Sequence, residues 1–435
     1  MKIDLHVHTR HSRRPANWLL QKMGCPESYT DPRACACGLR RLGMTHITFT
    51  DHNCIDGCLE VAGLPGTFIS EEITAYFPDD RCKVHILAYD INEAIHREIQ
   101  EYRENIFELV PYLIGKNVPH AIAHPFSAVN DRFQLEHFER LLLLFRVFEL
   151  NGDQEREVND TLRLVLQSCT PALIDRLAEK HRRAPLMTEP WRKSVIAGSD
   201  DHAGIAYGES HTRVGGAQTI RDFFAGVEEG RSQVMVSTAT PESFGASIYS
   251  VAYRYLKDRF RLERYSGGDT LLRFLDATLC PREQKHYGLL ANLTHALGRR
   301  RSRAEPKIGT GLTQFIREKA ARLILENPEL AAQLGGQSQT SATDGRLWFQ
   351  FVSTVANQTA GHFAASCFER LAHGELFDLF HTIGGAGTLY LALAPYFVAY
   401  PFHAAERRVA RSISGAFVPA THKPVMIGWM DESPD

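Results

Sequence analysis

From the first residue to about residue 218, short apolar runs rich in Val, Ile, Phe and Leu alternate with longer amphipathic stretches. Runs of four to eight such residues predict strands, and apolar residues at helical spacing predict helices. Strands are expected at 2–8, 45–51, 67–77, 83–89, 120–124, 146–151, 194–200 and 212–217, with helices over 93–114 and 153–180. That alternation wraps helices around a parallel sheet or barrel. Parallel barrels assemble their active sites at the C-terminal ends of their strands. Several of the expected strands end in His, Asp or Glu.

After about residue 240 the texture changes. Strand patterns become scarce and helical ones run over 247–276, 284–298, 313–325 and 348–371, separated by polar, Gly-rich stretches at 299–311 and 335–345. The expectation is two domains, 1–240 and a mainly helical region over 241–435. The segment 382–402 carries no charge and is about long enough to cross a bilayer. Its glycines and prolines, with a basic flank at Arg407, Arg408 and Arg411, favour a buried or interfacial helix pair, with peripheral membrane contact as the competing reading.

Composition narrows the class little. Of 435 residues, 44% are hydrophobic and 23% charged, so a packed globular core is expected rather than disorder. The formal charge of -2 supplies no global attraction to nucleic acid. The one dense cationic run, Arg299-Arg300-Arg301-Ser302-Arg303, lacks interleaved aromatics and reads as a solvated linker. Nine cysteines and no export signal point to reduced thiols in the cytoplasm. Cys35, Cys37, Cys54 and Cys58 do not repeat the paired spacing of zinc ribbons and read as small hydrophobes.

The candidate chemistry lies at the strand ends. His6-Val7-His8-Thr9 places two imidazoles on one side of an extended segment, where both can reach one metal ion. Thr50-Asp51-His52-Asn53, Glu71-Glu72-Ile73-Thr74, Val84-His85, Ala123-His124-Pro125, Phe148-Glu149 and Ser199-Asp200-Asp201-His202 follow in order. A single polar intrusion is explained by a backbone partner. A repeat of it strand after strand is explained by shared metal ligation, because each unpaired buried group costs about 1–3 kcal/mol. Such ligands suit Zn, Mn or Fe, and water bound there ionises near neutral pH. On that chemistry, Asp51 or His52 is expected to orient the attacking water or protonate a leaving group, and Lys83 or Arg213 to hold phosphate.

The ordered motifs resemble the PHP (polymerase and histidinol phosphatase) superfamily over roughly residues 1–218. The resemblance implies a distorted (β/α)7 barrel, followed here by the helical C-terminal region, with two or three divalent transition metal ions, Mn, Fe or Zn. It implies that His6, His8, Glu72 and Asp200 hold one metal, with Glu72 bridging to a second held by His85 and His124. His52 and His202 belong to a third position. A further ligand there follows the first motif, with His11 the nearest candidate and Glu27 or Asp31 the alternatives. Glu72 is preferred to Glu71, and Asp200 to Asp201, from the residues that follow each.

The function implied is metal-dependent hydrolysis of a phosphate mono- or diester, with a small phosphorylated substrate. A nuclease or proofreading activity competes, and near-neutral charge weighs against it. A non-enzymatic metal-stabilised scaffold is the other competing reading. Phe68-Ile69-Ser70-Glu71-Glu72 and Lys83-Val84-His85 resemble PHP domains that accompany glycosyltransferases, which links either reading to glycan metabolism.

Overall fold

The computed structural model describes residues 1–13, 25–127, 129–130, 132–259, 276, 280 and 403–417. The chain divides into two compact units, Met1–Gln284 with Phe402–Asp435, and Lys285–Pro401. The second unit, and with it the helical patterns at 313–325 and 348–371 and the segment 382–402, lies outside the described residues. So do 284–298, 299–311 and 335–345.

The first unit is a mixed α/β structure. Its elements are β1 (Lys2–Ile3), α1 (Pro32–Arg41), α2 (Asp56–Val61), β2 (Ser70–Tyr76), β3 (Lys83–Tyr89), α3 (Glu93–Tyr102), α4 (Ile106–Gly115), β4 (His120–Ile122) and α5 (Leu135–Leu144). There follow β5 (Val147–Asn151), α6 (Arg156–Gln167), α7 (Pro171–His181), β6 (Ser194–Gly198), β7 (His211–Val214), α8 (Ile220–Glu228), β8 (Ser232–Met235) and α9 (Pro241–Arg259). A last helix, α10, covers 403–417. Among the described residues no helix is long and apolar enough to cross a membrane.

The expected parallel sheet is a mixed one. A five-stranded sheet runs β2-β3-β4-β5-β6, with β2–β3 and β3–β4 antiparallel and β4–β5 and β5–β6 parallel. The short Phe77–Cys82 connection explains the first antiparallel pair, since a parallel crossover needs a dozen residues or more. β1, β7 and β8 form a separate antiparallel sheet. Between β6 and β2, two extended segments pair one residue at a time instead of forming the strands expected at 2–8 and 45–51. Val7 bridges to Asp201 and His52 to Glu72. Backbone hydrogen bonds add Asp200 N–H to the His6 carbonyl at 2.7 Å, Thr50 N–H to Val7 at 2.9 Å and Glu72 N–H to Asp51 at 3.2 Å.

Each long helical stretch is broken in two by a local cap. Asn105 accepts from Phe107 N–H and starts α4. Thr170 accepts from Leu173 N–H ahead of Pro171 and starts α7. A capping residue satisfies otherwise orphaned amides, and proline is tolerated in the first turn.

Strand alternation separates two buried faces. On β3, Val84, Ile86 and Ala88 pack against the helices α4 and α5 (Leu109, Leu113, Phe138, Leu142), whereas Leu87 and Tyr89 turn inward with Leu5, Ala121 and Ile196. His85 has the inward parity, as do Glu149 and Asn151 on β5. α10 joins the outer core through Ala410 and Ile413. Two arginines of the basic flank noted above pair with α6 and the residue before it: Arg407 with Glu155, and Arg411 with Glu157 at 3.4 Å.

Candidate metal centre

The inward positions converge on Glu72, a fully buried carboxylate on β2. Its Oε2 lies 3.2 Å from His6 Nε2, 3.2 Å from His8 Nε2 and 3.0 Å from His52 Nδ1. Its Oε1 lies 2.8 Å from His85 Nδ1 and 3.0 Å from His124 Nε2. Asp200 Oδ1 is 3.2 Å from both His6 Nε2 and His8 Nε2, which are 3.0 Å apart. His202 stacks on His8 with ring centroids 4.0 Å apart. Seven of the nine residues expected as ligands, His6, His8, Glu72, His85, His124, Asp200 and His52, therefore meet in one cluster, and His202 flanks it.

The neighbouring acids face elsewhere. Glu71 points to the helix side of β2, 2.9 Å from His96 and 3.2 Å from Gln100. Asp201 Oδ1 accepts from the amides of Ala203, Ile205 and Ala206. Two positions close the cluster with left-handed backbone, His124 at φ 22° and Asp200 at φ 55°. Such conformations cost about 1–3 kcal/mol each and collect where a site needs a particular geometry. At Gly198 an added Cβ would stand 2.3 Å from His6 Cβ, so β6 and the first motif meet only because that residue has no side chain.

His11 is not beside His52 and His202. Glu27 stands beside those two histidines, 3.2 Å from His52 Nε2 and 3.7 Å from His202 Nε2. His11 contacts Glu60 instead. Asp31, the other alternative, caps α1 and pairs with Arg10.

The expected catalytic residues divide. His52 lies in the cluster, and Lys83 stands two residues before His85 on the same face of β3. Asp51 does not reach the interior of the cluster: Oδ1 accepts from Thr9 N–H at 2.7 Å and Ser12 O–H at 3.0 Å, and Oδ2 from Thr9 O–H at 2.7 Å. Arg213 is exposed in the separate sheet, opposite Lys2 and Gln233. Its strand belongs to that sheet, not to the one carrying Glu72.

Several residues outside the expected ligands orient the imidazoles, Glu149 of the strand-end series among them. Glu149 Oε1 accepts from His6 Nδ1 at 2.8 Å, and Oε2 from His124 N–H at 2.9 Å. Ser12 Oγ is 2.9 Å from His8 Nδ1. Because Ser12 donates its proton to Asp51, it accepts from His8, and both His6 and His8 keep Nδ1–H outward and Nε2 inward. Asn151 Nδ2 donates to Glu149 at 3.1 Å and Asp200 at 3.0 Å. Asp4 accepts from Ser199 and Gly208 amides at 2.9 and 2.6 Å, and burial pushes its carboxyl up to about 7. Asp4 shares the parity of His6 and His8, a signal the sequence carried.

The protonation pattern follows from the crowding. Burial lowers His8, but Asp200 and Glu72 outweigh it and push the ring up to about 10. Burial works likewise against His124, which Glu72 raises to about 8. Burial would raise Glu72, yet His52, His85 and His6 hold it well below the usual carboxylate range. Glu27 is drawn down to about 2 by His52, His202 and His8 against its burial. His85 goes the other way, lowered to about 4 chiefly by burial.

The donors fit a metal cluster. Glu72 Oε2, Asp200 Oδ1, His52 Nδ1 and His85 Nδ1 are buried without a hydrogen bond of normal geometry. Such groups cost free energy unless a partner sits between them. Ions bound at about 2.1 Å space neighbouring donors roughly 3.0–3.4 Å apart, the spacing found around Glu72 and Asp200.

No protein-family model matches the chain, and no curated protein matches it. Solved structures give distant likenesses. PsfC from Pseudomonas syringae PB-5123 shares 16% identity over 58% of this chain and 97% of its own, with a TM-score of 0.35. A two-domain protein from Bacteroides vulgatus ATCC 8482, containing a predicted PHP-like metal-dependent phosphoesterase, shares 14% over 54% of this chain and 64% of its own, at 0.35. An amidohydrolase from Chromobacterium violaceum shares 15% over 46% and 87%, at 0.28.

Proposed function

We propose that this chain is a metal-dependent hydrolase acting on a phosphate ester, with a small phosphorylated molecule as substrate. The observation that carries the reading is the set of buried, unbonded donor atoms around Glu72 and Asp200. His6, His8, Glu72 and Asp200 would hold one ion, and Glu72 with His85 and His124 a second. Glu27, His52 and His202 would hold a third. The bridged segments 6–8 and 47–52 between β6 and β2 support a distorted seven-unit barrel as the frame.

When bound, ions of the Mn, Fe or Zn class supply an acidified water and offset negative charge on a phosphoryl group. The chain does the rest. Glu149 and Ser12 fix the tautomers of His6 and His8, and Asn151 orients Glu149 and Asp200. Lys83, of inward parity at the start of β3, would pair with a phosphate oxygen. Asp51 acts through Ser12 as a positioning residue. No protein nucleophile is required.

Metal analysis and turnover test this together. Purified protein is expected to hold more than one transition metal per chain, and His6→Ala with His8→Ala to lose most of it along with hydrolysis of aryl phosphate mono- and diesters in Mn²⁺. Unchanged turnover in that double variant would sink the reading. A fully loaded wild type inert across a broad phosphate-ester panel would favour the scaffold instead.

A further inference from the structure

A second group of unlike donors lies closer to the surface. His11, Cys54 and Asp56 each offer a ligand atom, all within 4.8 Å of one another. His11 Nδ1 is 3.8 Å from Asp56 Oδ2. None of the three belongs to the groups that contain Glu72, Asp200 or His202.

The surroundings of His11 set its tautomer. Its Nε2 is 2.6 Å from Glu60 Oε1, and an ionised carboxylate only accepts. Nε2 therefore donates to Glu60, and Nδ1 is the nitrogen on the side of Asp56. Glu60 is paired with Arg10, whose Nη2 donates to both carboxylate oxygens at 2.9 and 2.7 Å. Arg10 in turn pairs with Asp31. A carboxylate behind an imidazole is the arrangement that orients metal-ligating histidines and raises their basicity.

We propose that His11 Nδ1, Cys54 Sγ and Asp56 Oδ2 bind a divalent ion of the zinc or cobalt class, at a site separate from the histidine and carboxylate centre. On binding, the Cys54 thiol releases its proton to solvent and ligates as thiolate. That sulfur selects against Mg²⁺, Ca²⁺ and Mn²⁺. Asp56 is exposed, with 58% of its side chain open to solvent, which leaves room for water as the fourth ligand. His11 follows His8 by three residues and Cys54 follows His52 by two. An ion here ties together the two turns that carry those histidines.

Cobalt(II) titration of the full-length, metal-stripped protein tests the site by absorption. The centre around Glu72 offers nitrogen and oxygen alone, so a near-ultraviolet sulfur-to-cobalt band reports Cys54. The band is expected in wild type, and undiminished in the His6→Ala, His8→Ala double variant, which separates it from the phosphoesterase reading. Cys54→Ser should abolish it and bind one fewer cobalt per chain. Glu60→Gln should weaken the uptake that produces the band by about 10- to 100-fold. Asp56→Ala, at an exposed position, should weaken it too. A cobalt-saturated wild type without the band overturns the proposal, as does a band of full strength in both Cys54→Ser and Asp56→Ala.

Discussion

Within the histidine cluster, one carboxylate does most of the electrostatic balancing. Glu72 lies within 3.2 Å of five imidazole nitrogens, and nothing else in the cluster touches as many. Glu72→Gln keeps the volume and removes the charge, leaving buried imidazoles without their counter-ion. Breaking a buried pair on one side costs about 3–5 kcal/mol. We expect a loss of that order in urea unfolding of the metal-free protein, and loss of bound metal. Glu71→Gln, on the opposite face with His96, should retain full metal content. Equal metal loss in the two variants would refute the assignment of faces. The histidines also fix how metal uptake depends on pH. With His8 raised to about 10 and His124 to about 8, both carry a proton at neutral pH in the metal-free chain, and a bound ion must displace it. Apparent affinity is therefore expected to rise with pH up to about 10, while the protons released per ion fall. Calorimetry in buffers of different ionisation enthalpy reads both, and uptake indifferent to pH would contradict the cluster.

Secondary-structure elements deliver these side chains by parity. Glu72, His85, Glu149 and Gly198 fall on inward positions of their strands, Asp200 follows β6 on left-handed backbone, and the intervening Ile73, Ile86 and Phe148 pack on the helices. Gly198 shows how tight the delivery is. In Gly198→Ala the new Cβ would meet His6 Cβ at 2.3 Å and His6 N at 2.6 Å, so backbone must move. Overpacking costs about 1–3 kcal/mol, and contact with backbone puts this case at the upper end. A denaturant midpoint unchanged from wild type would show that β6 and the first motif are not in contact. Much of this was legible in the sequence, because alternation alone separates Glu72 from Glu71 and puts His85 opposite Ile86. His124 was legible as a motif, but parity assigns it to the helix face with Ile122. Only its left-handed backbone explains how the ring reaches Glu72. The place of Glu27 rests on tertiary contact with His52 and His202, which no local spacing encodes.

At the scale of the whole chain, the last described helix returns to the unit that begins at Met1. Nothing in the sequence between 403 and 417 announced that partner, since its arginines read equally well as the flank of an interfacial segment. The structure answers with packing: Ala410 and Ile413 are buried in the outer core, and Arg407 pairs with Glu155. Glu406 marks the inner edge of this contact. It is 1% exposed, and its Oε1 accepts from Ser127 O–H at 2.7 Å and Gln154 Nε2 at 3.0 Å, while Oε2 has no hydrogen bond. Ser127 follows His124 by three residues, so α10 braces the loop that carries a candidate ligand. Burial raises the Glu406 carboxyl above its ordinary value. In the window between that value and the raised one, the folded chain keeps a proton that the unfolded chain has released. The unfolded state then binds fewer protons, so stability contributed by this group falls as pH rises. Glu406→Gln preserves the acceptor toward Ser127 and Gln154 and has no proton to lose. Its unfolding free energy relative to wild type should therefore improve as pH rises above about 4.5, then level off once wild-type Glu406 is ionised. Urea unfolding of metal-free protein across that range checks the sign. A difference that stays constant with pH would mean that Glu406 is solvated and that α10 does not brace the site.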